Sequence, residues 1–233
     1  MRPQPASRPL VRLHVERRGQ GRPVVFTHGA GATSATWAAQ VDALARGHAV
    51  TVWDLRGHGT SERPAEPAAY SRDAALDDLE RVTSAVCAAA PAPSAVLVGH
   101  SLGGYLSLAL AITRPALVGG VVAIATGPGF RDPASRSKWN ANLAKRGAGL
   151  GVPAEVAAVA AQPDSLVIDR LTEVRVPVIA IVGERDRAFH GGAAYLERKI
   201  GARMIIVPSA GHHVHETHPE AVNEAIAELL DAS

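Results

Sequence analysis

Apolar residues recur along this chain in two rhythms, one with a period of two and one with a period near 3.6. Residues 10–17 alternate, with Val11, Leu13 and Val15 on one face, as in a half-exposed strand. Short, unbroken runs rich in Val, Ile and Ala follow at 23–27, 49–53, 95–98, 117–125, 177–182 and 204–207, and these predict buried strands. Between them the pattern turns helical. Ser34 is placed to cap a helix through Trp37, Val41 and Leu44 that ends near Gly47. Ser71 is placed to cap one through Leu76, Leu79, Val82 and Val86, and Leu106 and Leu110 mark a third. A helix from about 192 to 200 precedes the last strand. Residues 219–230 close the chain as an amphipathic helix with Val222, Ile226, Leu229 and Leu230 on its apolar side.

Alternating buried strands and helices predict an α/β protein with a mostly parallel twisted sheet and helices on both faces. A ligand then sits beyond the carboxyl ends of the strands. One domain is expected over 10–231, with residues 1–9, rich in Arg and Pro, as a disordered tail. The rhythm breaks at 130–172, where two or three short helices are interrupted by Gly147, Gly149, Gly151 and Pro153. An insertion there, on the side where the strands end, is positioned to act as a small helical lid.

Composition narrows the picture. The 233 residues are 47% apolar and 20% charged, enough for a sizeable core, and the formal charge is only +2. No basic stripe interleaved with aromatics is present, so no nucleic-acid partner is expected. Neither a leader-like apolar segment nor a membrane-length run occurs, which gives the expectation of a cytoplasmic protein with no membrane association. Cys87 is the single cysteine and reads as a small buried hydrophobe.

The chemistry lies in the loops after the strands. Gly99-His100-Ser101-Leu102-Gly103 fits G-x-S-x-G between an apolar strand and a helix. A serine on so sharp a turn needs neighbours without side chains, and the following helix N-terminus favours negative charge beside it. His28-Gly29-Ala30-Gly31 follows an earlier strand and can offer backbone N–H groups to a developing oxyanion, with the amides of Ala30 and Leu102 as the natural pair. Asp186, in Gly183-Glu184-Arg185-Asp186, and His212, after Gly211, sit beyond two later strands. An acid and an imidazole at neighbouring strand ends can orient each other, and the imidazole can then deprotonate Ser101.

These segments, together with Asp54-Leu55-Arg56-Gly57-His58-Gly59-Thr60-Ser61, stand in the order found in the α/β-hydrolase superfamily. Over about residues 10–230 the chain resembles the superfamily's single-domain members with a serine nucleophile and a short lid. The resemblance implies Ser101 as nucleophile, Asp186 as orienting acid, His212 as base, and no cofactor or metal. It implies a small-molecule ester or lactone substrate hydrolysed through an acyl-enzyme. It gives Arg56 and His58 a structural part at the sheet edge and sets His100 beside the elbow. Serine at position 101 argues against the haloalkane dehalogenases and epoxide hydrolases, which place Asp there. In the lid, Lys138 and Trp139 are candidates for touching substrate, and Trp139 is taken as the substrate-binding residue.

Three alternatives stand beside this reading. The same motifs occur in carbon–carbon bond hydrolases and perhydrolases. They also occur in receptors that keep the triad yet chiefly bind a small ligand. His213, His215 and His218 have the spacing of H-x-H-x-D-H, a metal-binding pattern, with Thr217 where the Asp belongs and too little chain after it for further ligands. Oligomeric state leaves no mark in the sequence.

Overall fold

The computed structural model describes residues 10–90 and 92–231; the tail expected over 1–9 lies outside them. The apolar runs become seven strands: β1 Val15–Arg18, β2 Arg22–Thr27, β3 His48–Trp53, β4 Ala95–His100, β5 Val118–Ile124, β6 Val178–Gly183 and β7 Arg203–Val207. They form one sheet in the order β1-β3-β2-β4-β5-β6-β7. Every pairing is parallel except that of β1 with β3. The strand expected over 10–17 is therefore shorter and shifted. Its first residues bond instead to the loop after β3: Arg12 N–H donates to Glu62 Oε2 at 2.8 Å and His14 N–H to Ser61 Oγ at 2.9 Å.

Successive strand residues feed opposite faces, as the period of two requires. Val25, Leu97, Val121, Ala123, Ala180 and Val182 pack in one core with the helices α2 (Arg72–Ala88), α3 (Leu102–Thr113) and α8 (Arg187–Ile200). Val24, Phe26, Val96, Val98, Val122, Ile124, Ile179 and Ile181 pack in the other. There they meet α1 (Ala38–Leu44) and α10 (Pro219–Asp231) through Val41, Leu44, Val222, Ile226 and Leu229, with Val214 of the single-turn α9 (Val214–Thr217) beside them. Helix α3 is buried from Leu102 to Ile112, which explains why its sequence is apolar on all sides. Ser71 caps α2 as expected, its hydroxyl accepting from Ala74 N–H at 3.1 Å. Ser34 does not cap α1. It begins a short 3₁₀ turn, and its own N–H donates to Asp54 Oδ1 at 2.7 Å.

Between β5 and β6 the chain carries four short helices, α4 Pro133–Ala141, α5 Leu143–Gly149, α6 Ala154–Ala157 and α7 Leu166–Arg170. A buried arginine ties this insertion to the main body: Arg72 of α2 donates to both carboxylate oxygens of Asp164, at 2.5 and 3.0 Å. Helix α8 starts at Arg187, five residues before the expected start, because Gly191 and Gly192 lie inside it. Gly192 is there for close packing: a Cβ on it would come 2.9 Å from Gly127 Cα. Among the described residues, no helix is long and apolar enough to cross a membrane.

Candidate active site

The loop between β4 and α3 is possible only with glycine at two places. A Cβ on Gly99 would lie 2.3 Å from the Gly103 carbonyl, and one on Gly103 would lie 2.1 Å from the Thr27 carbonyl oxygen. The backbone can thus reverse tightly against β2, and Ser101 is left at φ 52°, ψ −110°. A positive φ on a non-glycine residue costs on the order of 1–3 kcal/mol and persists only where its surroundings enforce it. Here the enforcement includes Ser101 N–H, which donates to Ile124 O at 2.8 Å and ties the turn to β5.

Two further loops are zipped together at the ends of β6 and β7. Glu184 N–H donates to Val207 O and Arg185 N–H to Ala210 O, both at 2.9 Å, while Ser209 N–H donates to Glu184 Oε2 at 2.8 Å. Gly183 permits the approach, since a Cβ there would come 2.3 Å from Gly211 O. The result is that His212 Nδ1–H donates to Asp186 Oδ2 at 2.7 Å. This bond leaves Nε2 of His212 as the free ring nitrogen. The His212 ring is flanked by Phe189, with centroids 4.7 Å apart, and by His100 at 4.8 Å.

Ser101 and His212 share the wall of one cavity of about 920 Å³, without a hydrogen bond between their side chains. Ala30 and Leu102 line the same cavity, and neither amide donates to another protein group among the described residues. His28 sets the Ala30 loop. Its Nδ1–H donates to Gly29 O at 2.7 Å and its Nε2 accepts from Leu55 N–H at 3.0 Å. Burial, reinforced by nearby His58, lowers the His28 pKa to about 4, so the ring is neutral. Asp54 braces the neighbouring loop by accepting from Ser34 N–H and Thr60 N–H. Burial raises its carboxyl pKa, and these bonds outweigh that and hold it below the usual range.

Arg56 is wholly internal, donating to Asp78 Oδ2 at 2.7 Å and Ala69 O at 2.6 Å. His58 donates from Nδ1 to Arg56 O at 3.1 Å, yet its ring also forms part of the cavity wall. Trp139 lines the cavity as well, with its indole N–H spent on Ala160 O at 3.0 Å; Lys138 is exposed and does not. Tyr105, Phe130, Arg146, Phe189 and Tyr195 are wall residues that sequence reasoning missed. Only Phe189 carried a signal, its position three residues after Asp186.

His213, His215 and His218 do not converge. His213 is exposed against Glu216 Oε1 and His218 bonds Thr217 Oγ1, whereas His215 is buried between Trp37 and His100. Among the described residues no three His, Cys, Asp or Glu side chains are grouped to hold a metal ion.

The family model described as alpha/beta hydrolase fold matches residues 22–150, more than half of the chain. The chain belongs to that family. This α/β-hydrolase is 32% identical over 130 residues to the pimeloyl-[acyl-carrier protein] methyl ester esterase of Nitrosomonas europaea, an overlap of 56% of the chain and 46% of the relative. It therefore spans about half the length of several curated relatives it matches. It is 26% identical to the 2-(acetamidomethylene)succinate hydrolase of Mesorhizobium japonicum, over 95% of the chain and 92% of that protein. Among solved structures, a thermophilic esterase from Thermogutta terrifontis superposes with a TM-score of 0.80 at 26% identity, covering 95% of this chain and 94% of the other.

Proposed function

We propose that this α/β-hydrolase cleaves a carboxylic ester or lactone of a small molecule through an acyl-enzyme on Ser101. The observation that carries the reading is the 2.7 Å bond from His212 Nδ1–H to Asp186, made at the cavity that Ser101 also lines. A carboxylate on Nδ1 fixes the tautomer in which Nε2 is bare and can take a proton.

In the first half of the reaction Ser101 Oγ attacks the carbonyl carbon while its proton passes to His212 Nε2. The tetrahedral oxyanion is received by the amides of Ala30 and Leu102, both on the cavity wall and without other acceptors. Collapse breaks the bond to the leaving oxygen, which takes the proton from His212. In the second half water gives its proton to His212 and attacks the acyl carbon, and Ser101 leaves with that proton. The insertion between β5 and β6 acts as the lid, since much of the cavity wall, including Trp139, comes from it.

An activated ester such as 4-nitrophenyl acetate, with a fluorophosphonate probe, tests the reading. Multiple turnovers are expected, with a single label on Ser101. Ser101→Ala should lose both while staying folded, with turnover down by about 10⁴-fold or more. Release of one equivalent of nitrophenolate without further turnover would point to ligand capture, and full activity in Ser101→Ala would overturn the reading.

A further inference from the structure

Among the described residues, the wall of the cavity bears one permanent charge. Arg146 of α5 lines it, and no Asp or Glu does. Its guanidinium carbon lies 4.0 Å from the centroid of the Trp139 ring, and that indole is held in turn by its bond to Ala160 O. The other arginines around the insertion are engaged by the protein itself. Arg131 pairs with Asp169 at 2.7 Å, Arg170 with Glu173 at 2.6 Å, and Arg72 with Asp164. Arg136 donates to Phe130 O at 3.2 Å. The Arg146 side chain has no carboxylate or carbonyl partner among the described residues. Arg146 and its neighbour Lys145 are both exposed, but of the two only Arg146 lines the cavity, so its guanidinium is a solvent-accessible charge on the cavity wall.

We infer that the substrate carries a carboxylate that pairs with Arg146 while its ester or lactone carbonyl lies at Ser101. This rests on the hydrolase reading above. Contact with the face of Trp139 steadies the guanidinium, and its N–H donors are left for a planar acceptor. Carboxylate matches that fork with two parallel bonds. Arg146 is exposed, so solvent and salt screen part of the attraction. A single cation suits a monoanion; a doubly charged phosphate would call for more donors than this wall offers.

The test compares two ligands of the same chain length, monomethyl adipate with one free carboxylate and dimethyl adipate with that carboxylate capped as a second methyl ester, by calorimetric titration into Ser101→Ala, which cannot consume them. The monoester is expected to bind about threefold to fivefold more tightly, the gain from a bidentate charge pair that solvent partly screens. The ratio should fall to about one in Ser101→Ala/Arg146→Gln, fall only partly with Arg146→Lys, and shrink in about 0.5 M NaCl. Equal affinities, no detectable binding of the monoester, or a preference that survives Arg146→Gln would overturn the inference. Turnover of the corresponding 4-nitrophenyl esters by the unsubstituted protein separates the two readings. Hydrolysis without a preference for the anionic ester removes the role of Arg146 alone. Preferential binding without hydrolysis by any form removes the esterase and leaves the anion site.

Discussion

The imidazole of His100 donates from Nε2 to the carbonyl oxygen of His212 at 3.0 Å, so the residue before the elbow serine holds the backbone of the proposed base. Its other nitrogen is buried without a partner, and burial with His215 and His212 close by keeps its pKa well below the ordinary value. His100→Phe keeps the ring and loses the donor. We expect kcat for an activated ester to fall about fivefold with KM little changed, the cost of one neutral hydrogen bond, about 1 kcal/mol, that positions His212. Steady-state kinetics decide it, and an unchanged kcat would show that the β7 loop needs no such support.

Glycines in the elbow and in α8 should respond to an added methyl group in opposite directions. Gly99→Ala drives that group into backbone that cannot move aside, and a loss of about 3 kcal/mol is expected in urea denaturation. At Gly191, inside α8, a Cβ would meet nothing within 4 Å, so Gly191→Ala should stabilise by about 0.5–1 kcal/mol through helix propensity.

Asp186→Asn leaves the size of the side chain and removes its charge. The amide can present its N–H₂ to His212 Nδ1 and so favour the tautomer with Nε2 protonated, which cannot accept from Ser101. A fall in kcat of about 10⁴-fold at neutral pH is expected, with fluorophosphonate labelling of Ser101 slowed in parallel. Labelling at the original rate would separate Asp186 from activation of the serine.

The sheet and the loops of the candidate site were legible because each rests on a local rule: β-branched runs for strands, glycine where backbone meets backbone, and an acid and an imidazole after consecutive late strands. The first strand was misplaced for a tertiary reason. Its alternation is real, and Val11 is buried, but the partner of Arg12 and His14 is the loop carrying Ser61 and Glu62, which no local pattern announces. The cap at Ser34 failed likewise, because Asp54 claims its N–H from across the fold. Cavity residues such as Arg146 and Tyr195 were invisible because a helix beside the cavity shows the sequence no difference between its cavity side and its outer side.

The pH dependence of stability follows from the buried imidazoles. Burial lowers the pKa of His28 to about 4 and, with His213 and His212 adding, that of His215 to about 3, against an ordinary value of 6.5. In the unfolded chain both protonate below about pH 6.5, while in the folded protein both stay neutral until far lower. The unfolded state therefore binds more protons in that interval, and stability rises with pH across it. It is fully present above about pH 6.5 and drains away as pH falls towards 4 and 3, by up to about 1.4 kcal/mol per pH unit for each histidine. His215 offers the clean test, since both of its ring nitrogens are buried without a hydrogen-bond partner between Trp37 and His100. His215→Phe preserves the stacked shape and removes the group that must stay neutral. Denaturation midpoints measured from pH 8 to pH 5 should show a shallower acid loss for this variant, with its largest gain over the parent at pH 5. If the two curves run parallel throughout, His215 does not set the acid sensitivity, and the slope belongs to His28 and His100.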